Sequence, residues 1–588
     1  IEFSLRENNT GAFPRGLSLF MRALSTWLYA QDPLAALAFE APLAAVKEAL
    51  LDDQYLPGLI RTYLLENTHR MTTVLLPDPG ENGRQEAAER QRLEEARAGM
   101  STAELDAIIE NTRLLKERQE TPDSPELLAS LPTLKLSDLE PKIKTIPLEV
   151  SAAEGSTTLY HDLFTNGIVY LDLAFDMHVL PAHLLPYADF FARALTKLGT
   201  ETEDYVKLSR RIGSRTGGIY ATDTSITRRG EDECTALFLL RGKATVARTP
   251  DMLAIMRDML LTVKLDNQAR FRQVVLETKA RVEASLVPSG HSYVNGRLGA
   301  HFSEADWLDE QMSGIAYLEF VRQLAEEVDH DWPGVLANLE AVRTLLINRN
   351  GLVSNVTLDA DNWETVQGQL GDFLDALPNQ PTPRARWART PLPTYEGLAI
   401  PAQVNYVGKA ANLYALGYGY HGSIHVITNL VRTSWLWDKI RAQGGAYGAF
   451  ARFAKQSGTW SYLSYRDPNL VGTLENYDGT GAFLRRYVIS DDELTKGIIG
   501  AIGALDGYQL PDAKGYTSML RYFSGETDAI RQQTRDEILG TTQQHIRDFA
   551  EYLEAANQAG HIVVMGAGDT LRTASQELAT PLEIRKVL

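Results

Sequence analysis

Arg441-Ala-Gln-Gly-Gly-Ala-Tyr447-Gly448 is the stretch of this chain best suited to chemistry. It follows an amphipathic run at 424–440, which predicts a helix, and it opens a strand-like segment at 446–465. An arginine at a helix end, two glycines in a sharp turn and a tyrosine at the start of a strand aim a guanidinium and a phenol at a common point. Both groups donate hydrogen bonds, and both suit a negative charge that develops on an oxygen during acyl transfer. Arg441 would otherwise serve as a C-terminal cap that complements the helix dipole, and Tyr447 as a half-buried strand residue.

A metal or nucleophile to accompany these donors is not found in the sequence. His421-Gly-Ser-Ile-His425 has the spacing that puts two imidazoles on one helix face, but Gly422 stands where a zinc helix carries its glutamate. His301-Phe-Ser-Glu304-Ala305 resembles the inverted motif His-x-x-Glu-His except for its final alanine. Glu66/His69 and His178/His183 have no supporting context. No Gly-x-Ser-x-Gly elbow or P-loop occurs. The chain is therefore expected to provide no metal ligands of its own. In Ser464-Tyr-Arg-Asp-Pro-Asn469, Arg466 and Asp467 are expected to form a turn-stabilising ion pair.

Composition narrows the function classes. The 588 residues are 44% apolar and 23% charged, as in a water-soluble globular chain. A net charge of -18 argues against a general nucleic-acid binder, which would carry a basic face. The single cysteine, Cys234, excludes an internal disulfide and a cysteine-rich zinc site, and its apolar neighbours predict a buried, inert thiol. No apolar stretch approaches the ~20 residues of a membrane span. The chain is expected to be soluble, which is compatible with a bacterial cytoplasm or an organelle matrix and selects neither.

The elements that must position Arg441 and Tyr447 form a repeating plan. Residues 1–76 read as strand, helix, helix, strand, with strands at 1–6 and 71–76, and the chain is expected to begin inside a domain. Residues 77–140 contain two charged, exposed helices at 84–120, separated by Gly99; Ser101-x-x-Glu104 is a capping box for the second, and Pro122, Pro125 and Pro132 end the pair. Residues 141–377 form a mixed body, with strands at 143–151, 167–177, 218–227, 234–242 and 353–358 among helices. Residues 378–393, rich in proline and arginine, form a linker. Residues 394–588 repeat the plan, with a strand at 399–407, the helix to 440, the 446–465 hairpin, and a strand at 561–565 before a last helix. Gly217-Gly218-Ile219-Tyr220 in the earlier body corresponds to Gly444-Gly445-Ala446-Tyr447 in the later one, with Ser214 where the later copy has Arg441. This pattern suggests duplication followed by specialisation.

An ordered set of motifs carries a family resemblance. Leu134-Lys-Leu-Ser-Asp-Leu-Glu-Pro141, Thr165-Asn-Gly-Ile-Val-Tyr170, Leu195-Thr-Lys-Leu-Gly199 and Val287-Pro-Ser-Gly-His291 precede Val404-Asn-Tyr-Val-Gly408, the Arg441–Gly448 stretch and Ser464–Asn469. Together they resemble the C-terminal part of the presequence protease group of the pitrilysin/insulinase (inverted zincin) metallopeptidases. The resemblance runs over essentially the whole chain.

The resemblance implies an α+β fold built from repeated α/β sandwich domains of the LuxS/metallohydrolase-like (pitrilysin) type, joined by a helical hairpin as half of a clamshell. It makes 1–76 the end of a second domain, 77–140 the hairpin, 141–377 a third domain and 394–588 a fourth. It implies that zinc belongs to an N-terminal half, as part of the same polypeptide or as a separate chain, and that short unstructured peptides are the substrate. Arg441 and Tyr447 would contact substrate or oxyanion, and Gly444, Gly445 and Ala446 would line the substrate. This chain alone would be inactive. The alternative implied by other members of the fold is a metal-free, non-catalytic partner of a zinc-bearing chain, or a scaffold. The presence of both Arg441 and Tyr447 argues against a purely structural part.

Overall fold

Two six-stranded sheets are built to one plan. In the first, β1 (Glu149–Ala153), β2 (Ser156–Asp162), β3 (Ile168–Asp176), β4 (Gly218–Ile226), β5 (Thr235–Thr245) and β6 (Val353–Leu358) lie in the order β1-β2-β6-β3-β5-β4. In the second, β7 (Tyr395–Ala399), β8 (Tyr406–Asn412), β9 (Gly448–Phe453), β10 (Thr459–Tyr465), β11 (His561–Gly566) and β12 (Glu583–Lys586) lie in the order β12-β7-β11-β8-β10-β9. Strands β2 and β6 are parallel, as are β7 and β11, and the pairs from there to β4 and to β9 are antiparallel in both sheets. The repeat read from one Gly-Gly-x-Tyr pair thus extends to the order and polarity of five strands in each sheet, and the sixth differs, with β1 antiparallel to β2 and β12 parallel to β7. The molecule is a mixed α and β fold, as expected.

The computed structural model describes residues 1–588 except Pro122, Pro125, Leu128, Ala129 and Glu154, so the expected breaks at Pro122 and Pro125 lie outside the described residues. Contacts divide the chain into one unit of Ile1–Pro33 with Lys135–Leu588, and another of Leu34–Leu134. The second unit is helical, and none of its described residues is buried. Its helices Glu81–Ala98 and Thr102–Glu120 carry the charge-rich run. The capping box forms as read: the Glu104 N–H donates to Ser101 Oγ at 3.3 Å, and the Ser101 N–H donates to Glu104 Oε2 at 2.8 Å. The Ser101 N–H and the Ser101 hydroxyl, both donating to the Glu104 carboxylate, hold it below its usual range.

In the larger unit the helices cross between sheets. The helix Gly290–Gly299, which lies between β5 and β6 in sequence, packs on β8, β10 and β11 of the second sheet. The helix Pro511–Ser524, between β10 and β11, packs on β6 and β4 of the first. Each approach needs glycine, Gly515 on the second helix where a Cβ would collide with Thr357 of β6, and two glycines at the first. A Cβ on Gly408 would lie 2.3 Å from Val294 Cγ1, and one on Gly290 would lie 2.4 Å from the Tyr406 ring. On β8, Tyr406 and Ala410 join the large core shared with the first sheet, and Val407 and Ala411 join the core under the second sheet's own helices. Alternation along the strand explains this, because both faces are covered.

A buried ion cluster sits at this crossing. Arg297, on the crossing helix, donates from Nε and Nη2 to both carboxylate oxygens of Glu396 on β7, at 2.7 and 2.9 Å, and from Nη1 to Glu310 at 3.0 Å. Glu310 also accepts from the N–H groups of Ile315 and Ala316 at 3.1 Å each, and Arg585 Nε lies 3.0 Å from Glu396. The side chains of Glu310 and Glu396 are 0% and 1% exposed. Charges this deeply buried are tolerable only when paired and hydrogen-bonded on several sides.

Several sequence expectations are corrected. Residues 1–6 are not a strand: Glu2–Glu7 is helical, with buried Glu7 accepting from Lys243 Nζ at 2.8 Å and from the Tyr170 hydroxyl at 3.2 Å. Residues 71–76 form no strand, since no neighbouring strand pairs with their N–H and C=O groups among the described residues, and Leu75 is 93% exposed. The single strand expected at 399–407 is two, β7 ending at Ala399 and β8 beginning at Tyr406. The expected helix to 440 widens to π geometry over Arg432–Ala442. Strands β2 and β12 and the Gly290–Gly299 helix were not anticipated.

Removing one partner of the buried cluster strands the other. Arg297→Ala or Glu396→Ala should lower unfolding free energy by about 3–5 kcal/mol. Replacing Arg297, Glu310 and Glu396 together with apolar residues of similar volume should cost less than either single change. Urea midpoints at constant m-value measure this.

Candidate functional site

The Arg441–Tyr447 turn is built by two glycines with different tasks. The Gly445 N–H donates to the Arg441 carbonyl at 3.0 Å, and the Ala446 N–H donates to the Ile440 carbonyl at 3.0 Å, closing the helix end. Gly445 has φ +79°, a left-handed conformation that costs other L-residues about 1–2 kcal/mol. Gly444 needs its lack of a side chain for space, since a Cβ there would lie 2.6 Å from the Ile440 carbonyl oxygen. Asn469 Nδ2 donates to the Gly444 carbonyl at 2.6 Å, tying the turn to the segment after β10.

That segment is itself anchored by Asp467, which is fully buried. Its carboxylate accepts from Thr473 Oγ1 at 2.7 Å and from the Asn469 N–H at 2.9 Å. Burial pushes the Asp467 carboxyl up, against these hydrogen bonds. The Asp467 backbone exchanges two 2.8 Å hydrogen bonds with Asn405. The expected Arg466–Asp467 ion pair is not found among the described residues. Arg466 has φ +50° and stands 5.4 Å from the centre of the Tyr465 ring.

Both donors face solvent. Arg441 is exposed, its guanidinium 4.0 Å from the centre of the Trp437 ring one helical turn back. Tyr447 is 68% exposed, its N–H donates to the Tyr465 carbonyl at 3.0 Å, and its ring meets the Tyr465 ring edge-on at 5.7 Å. The phenol oxygen has no hydrogen-bond partner among the described residues. One aromatic ring flanks each side chain: Trp437 faces the Arg441 guanidinium, and Tyr465 meets the Tyr447 ring while its phenol oxygen stays open to solvent. Strand β9, which follows, is an edge strand. A cavity of about 500 Å³ lies beside it, lined by Ile424, His425, Arg432, Ala451, Phe453 and Leu505 among others.

The first copy of the motif is engaged differently. Gly218 has φ +125°, in keeping with its counterpart Gly445. Tyr220 lies 5.6 Å from the Arg241 guanidinium. That guanidinium is held by Asp172 at 2.7 Å and lies 4.1 Å from the Tyr516 ring on the crossing helix. At the position of Arg441, the Ser214 hydroxyl donates to the Arg211 carbonyl at 3.3 Å.

The histidine motifs do not assemble as their spacing suggested. His421 Nδ1 lies 2.9 Å from Ser423 Oγ, whereas His425 Nε2 lies 3.0 Å from the Tyr420 hydroxyl. Burial, with Lys455 nearby, holds the His425 imidazole below its usual pKa. His301 packs edge-on against His561, and burial with that neighbour and Arg297 lowers it to about 4. Glu304 turns away to accept the Cys234 N–H at 2.8 Å. There it joins a grouping that the sequence did not reveal: ligand atoms of His178, Cys234 and Glu304 all lie within 4.8 Å of one another. Three residues so far apart in sequence have no readable spacing.

Comparison with known proteins agrees with this architecture. Residues 75–324 match the family described as peptidase M16 (subfamily C) associated, and residues 395–568 match the PreP C-terminal domain. The chain is 42% identical over 593 residues to Presequence protease 1, chloroplastic/mitochondrial, of Arabidopsis thaliana, covering 100% of this chain and 55% of that one. It is 31% identical over 574 residues to Protein HypA of Clostridium perfringens, covering 97% of this chain and 58% of that one. The chain thus spans a little over half the length of these relatives. The crystal structure of a peptidase M16 inactive domain from Pseudomonas fluorescens superposes with TM-score 0.51 at 14% identity, over 75% of this chain and 100% of that one, and so shares the fold. The chain belongs to the presequence protease group, subfamily C of the peptidase M16 family.

Proposed function

We propose that this chain is the substrate-closing half of a zinc metalloendopeptidase for short, unstructured peptides. Residues 141–377 and 394–588 act in it as the third and fourth peptidase-like domains. The observation that carries this reading is the pair of exposed donors, Arg441 and Tyr447, flanked by their aromatic neighbours at one turn. A guanidinium has no lone pair to offer a metal and one neutral phenol is not a zinc ligand set, so a catalytic zinc does not fit this turn and belongs to the zinc-bearing half.

The task of this chain is to hold the peptide and to stabilise charge. Peptide hydrolysis passes through a tetrahedral adduct with negative charge on the former carbonyl oxygen. Arg441 and Tyr447 donate to that oxygen, or to the neighbouring main chain. One such donor is worth about 3–4 kcal/mol when it acts mainly in the transition state. Edge strand β9 supports recognition of extended chains, because it pairs with β10 on one side and leaves main-chain groups for a peptide on the other. A peptide without structure of its own can extend along that edge, which supports the choice of unstructured substrates.

The experiment is reconstitution with the zinc-bearing half and assay on unstructured peptides. Arg441→Ala and Tyr447→Phe should each lower kcat by roughly 100-fold with little change in KM or melting temperature. Tyr220→Phe should have a much smaller effect. Failure of the zinc-loaded complex to cut any unstructured peptide, or equal losses at Tyr220 and Tyr447, rejects the reading.

Gly445→Ala keeps both donors but strains the turn. It should destabilise the chain by about 1–2 kcal/mol and lower turnover more than that loss of stability explains. Thermal melting beside kcat separates the two effects.

A further inference from the structure

We propose that His178, Cys234 and Glu304 form a binding site for one divalent cation of the zinc class. The three side chains come from the turn after β3, the residue before β5 and the first turn of the helix Glu304–Ser313. His178 is 1% exposed and Cys234 is 5% exposed.

The imidazole is already arranged as a ligand. His178 Nδ1 lies 3.1 Å from the Asp176 carboxylate, which selects the tautomer with its proton on Nδ1. The lone pair on Nε2 then points away from Asp176, and Nε2 is buried without a hydrogen-bond partner. The carboxylate behind a ligating histidine is the arrangement that orients such rings in metal sites. The Trp387 ring, stacked at 4.3 Å and 13°, holds the imidazole plane.

Distances fit a tetrahedral ion with modest closure. Bonds of about 2.0–2.3 Å place tetrahedral donors about 3.3–3.8 Å apart. His178 Nε2 and Glu304 Oε2 are 3.8 Å apart, and all three donor atoms lie within 4.8 Å. A fourth donor is at hand in Glu233, whose Oε1 is 3.9 Å from Nε2 and which also pairs with Arg384. An open cavity of about 290 Å³, lined by Cys234, Ser303 and Glu304 among others, gives access for the ion and for a water ligand. Thiolate, imidazole and carboxylate together favour Zn2+ or Co2+ over Mg2+ and Ca2+. On binding, the thiol proton leaves to solvent. The ion would join three chain segments beneath Trp387 of the linker.

Cobalt(II) is the probe, because a cobalt–thiolate bond gives a charge-transfer band in the near ultraviolet. Cys234 is the sole cysteine, so such a band has one possible source. The full 588-residue chain, reduced and stripped with chelator, should take up one Co2+ with that band and with visible bands of four-coordinate cobalt. Zn2+ should displace it, and Mg2+ in large excess should not. Cys234→Ser should abolish the thiolate band. Asp176→Asn, which leaves the three ligands in place, should keep the band and weaken binding about 10- to 100-fold. Absence of the band in the unaltered chain overturns the proposal, and so does its persistence in Cys234→Ser or displacement by Mg2+. The readout is independent of peptidase activity, so it stands or falls apart from the function proposed above.

Discussion

The structure depends on a buried charge pair at the point where the two sheets exchange helices. Arg297 leaves the first repeat on a helix that packs against the second sheet, and it meets Glu396 on β7 there. Both are removed from water, so each needs the other's charge, and Glu310 and Arg585 complete the cluster. An apolar contact would tolerate rotation or sliding between the repeats. A bidentate guanidinium–carboxylate pair accepts one geometry. The glycines at 290 and 408 allow the approach, and the ions set its register.

The exchange of helices is reciprocal, and it makes the two copies of one motif unequal. The helix Pro511–Ser524 brings Tyr516 over Arg241 in the first repeat, where Tyr220 lies. The guanidinium beside the first tyrosine is thus occupied by Asp172 and an aromatic ring. In the second repeat, Arg441 rests on Trp437 and Tyr447 on Tyr465, each with its polar end toward solvent. One fold plan therefore yields one copy whose neighbouring guanidinium is engaged by Asp172 and Tyr516, and one whose arginine and phenol both face solvent.

Fixed geometry at the open copy comes from the backbone behind it. Asp467 is buried and bound on both carboxylate oxygens, so the Ser464–Asn469 segment has little freedom. Asn469 passes that constraint to the Gly444 carbonyl. Donors that must meet a charge during reaction gain from being placed in advance, since reorienting them costs free energy at the transition state.

Local features were legible because their causes are local. The capping box at Ser101, the Gly444-Gly445 turn after a helix, the periodicity of β3, β6 and most helices, and the repeated Gly-Gly-x-Tyr all depend on neighbours a few residues away. Terminal and short strands were misjudged because pairing, not alternation, makes a strand: residues 1–6 dock as a helix through Glu7, and residues 71–76 pair with no strand among the described residues. Arg466 and Asp467 are adjacent, yet burial commits Asp467 to Thr473 and Asn469. The crossing helices and the Arg297 cluster were decided by tertiary structure, since only packing brings residues from distant segments into one low-dielectric place. The same holds for His178, Cys234 and Glu304, which carry no spacing signal and meet only when β3, β5 and the helix at Glu304 have folded together.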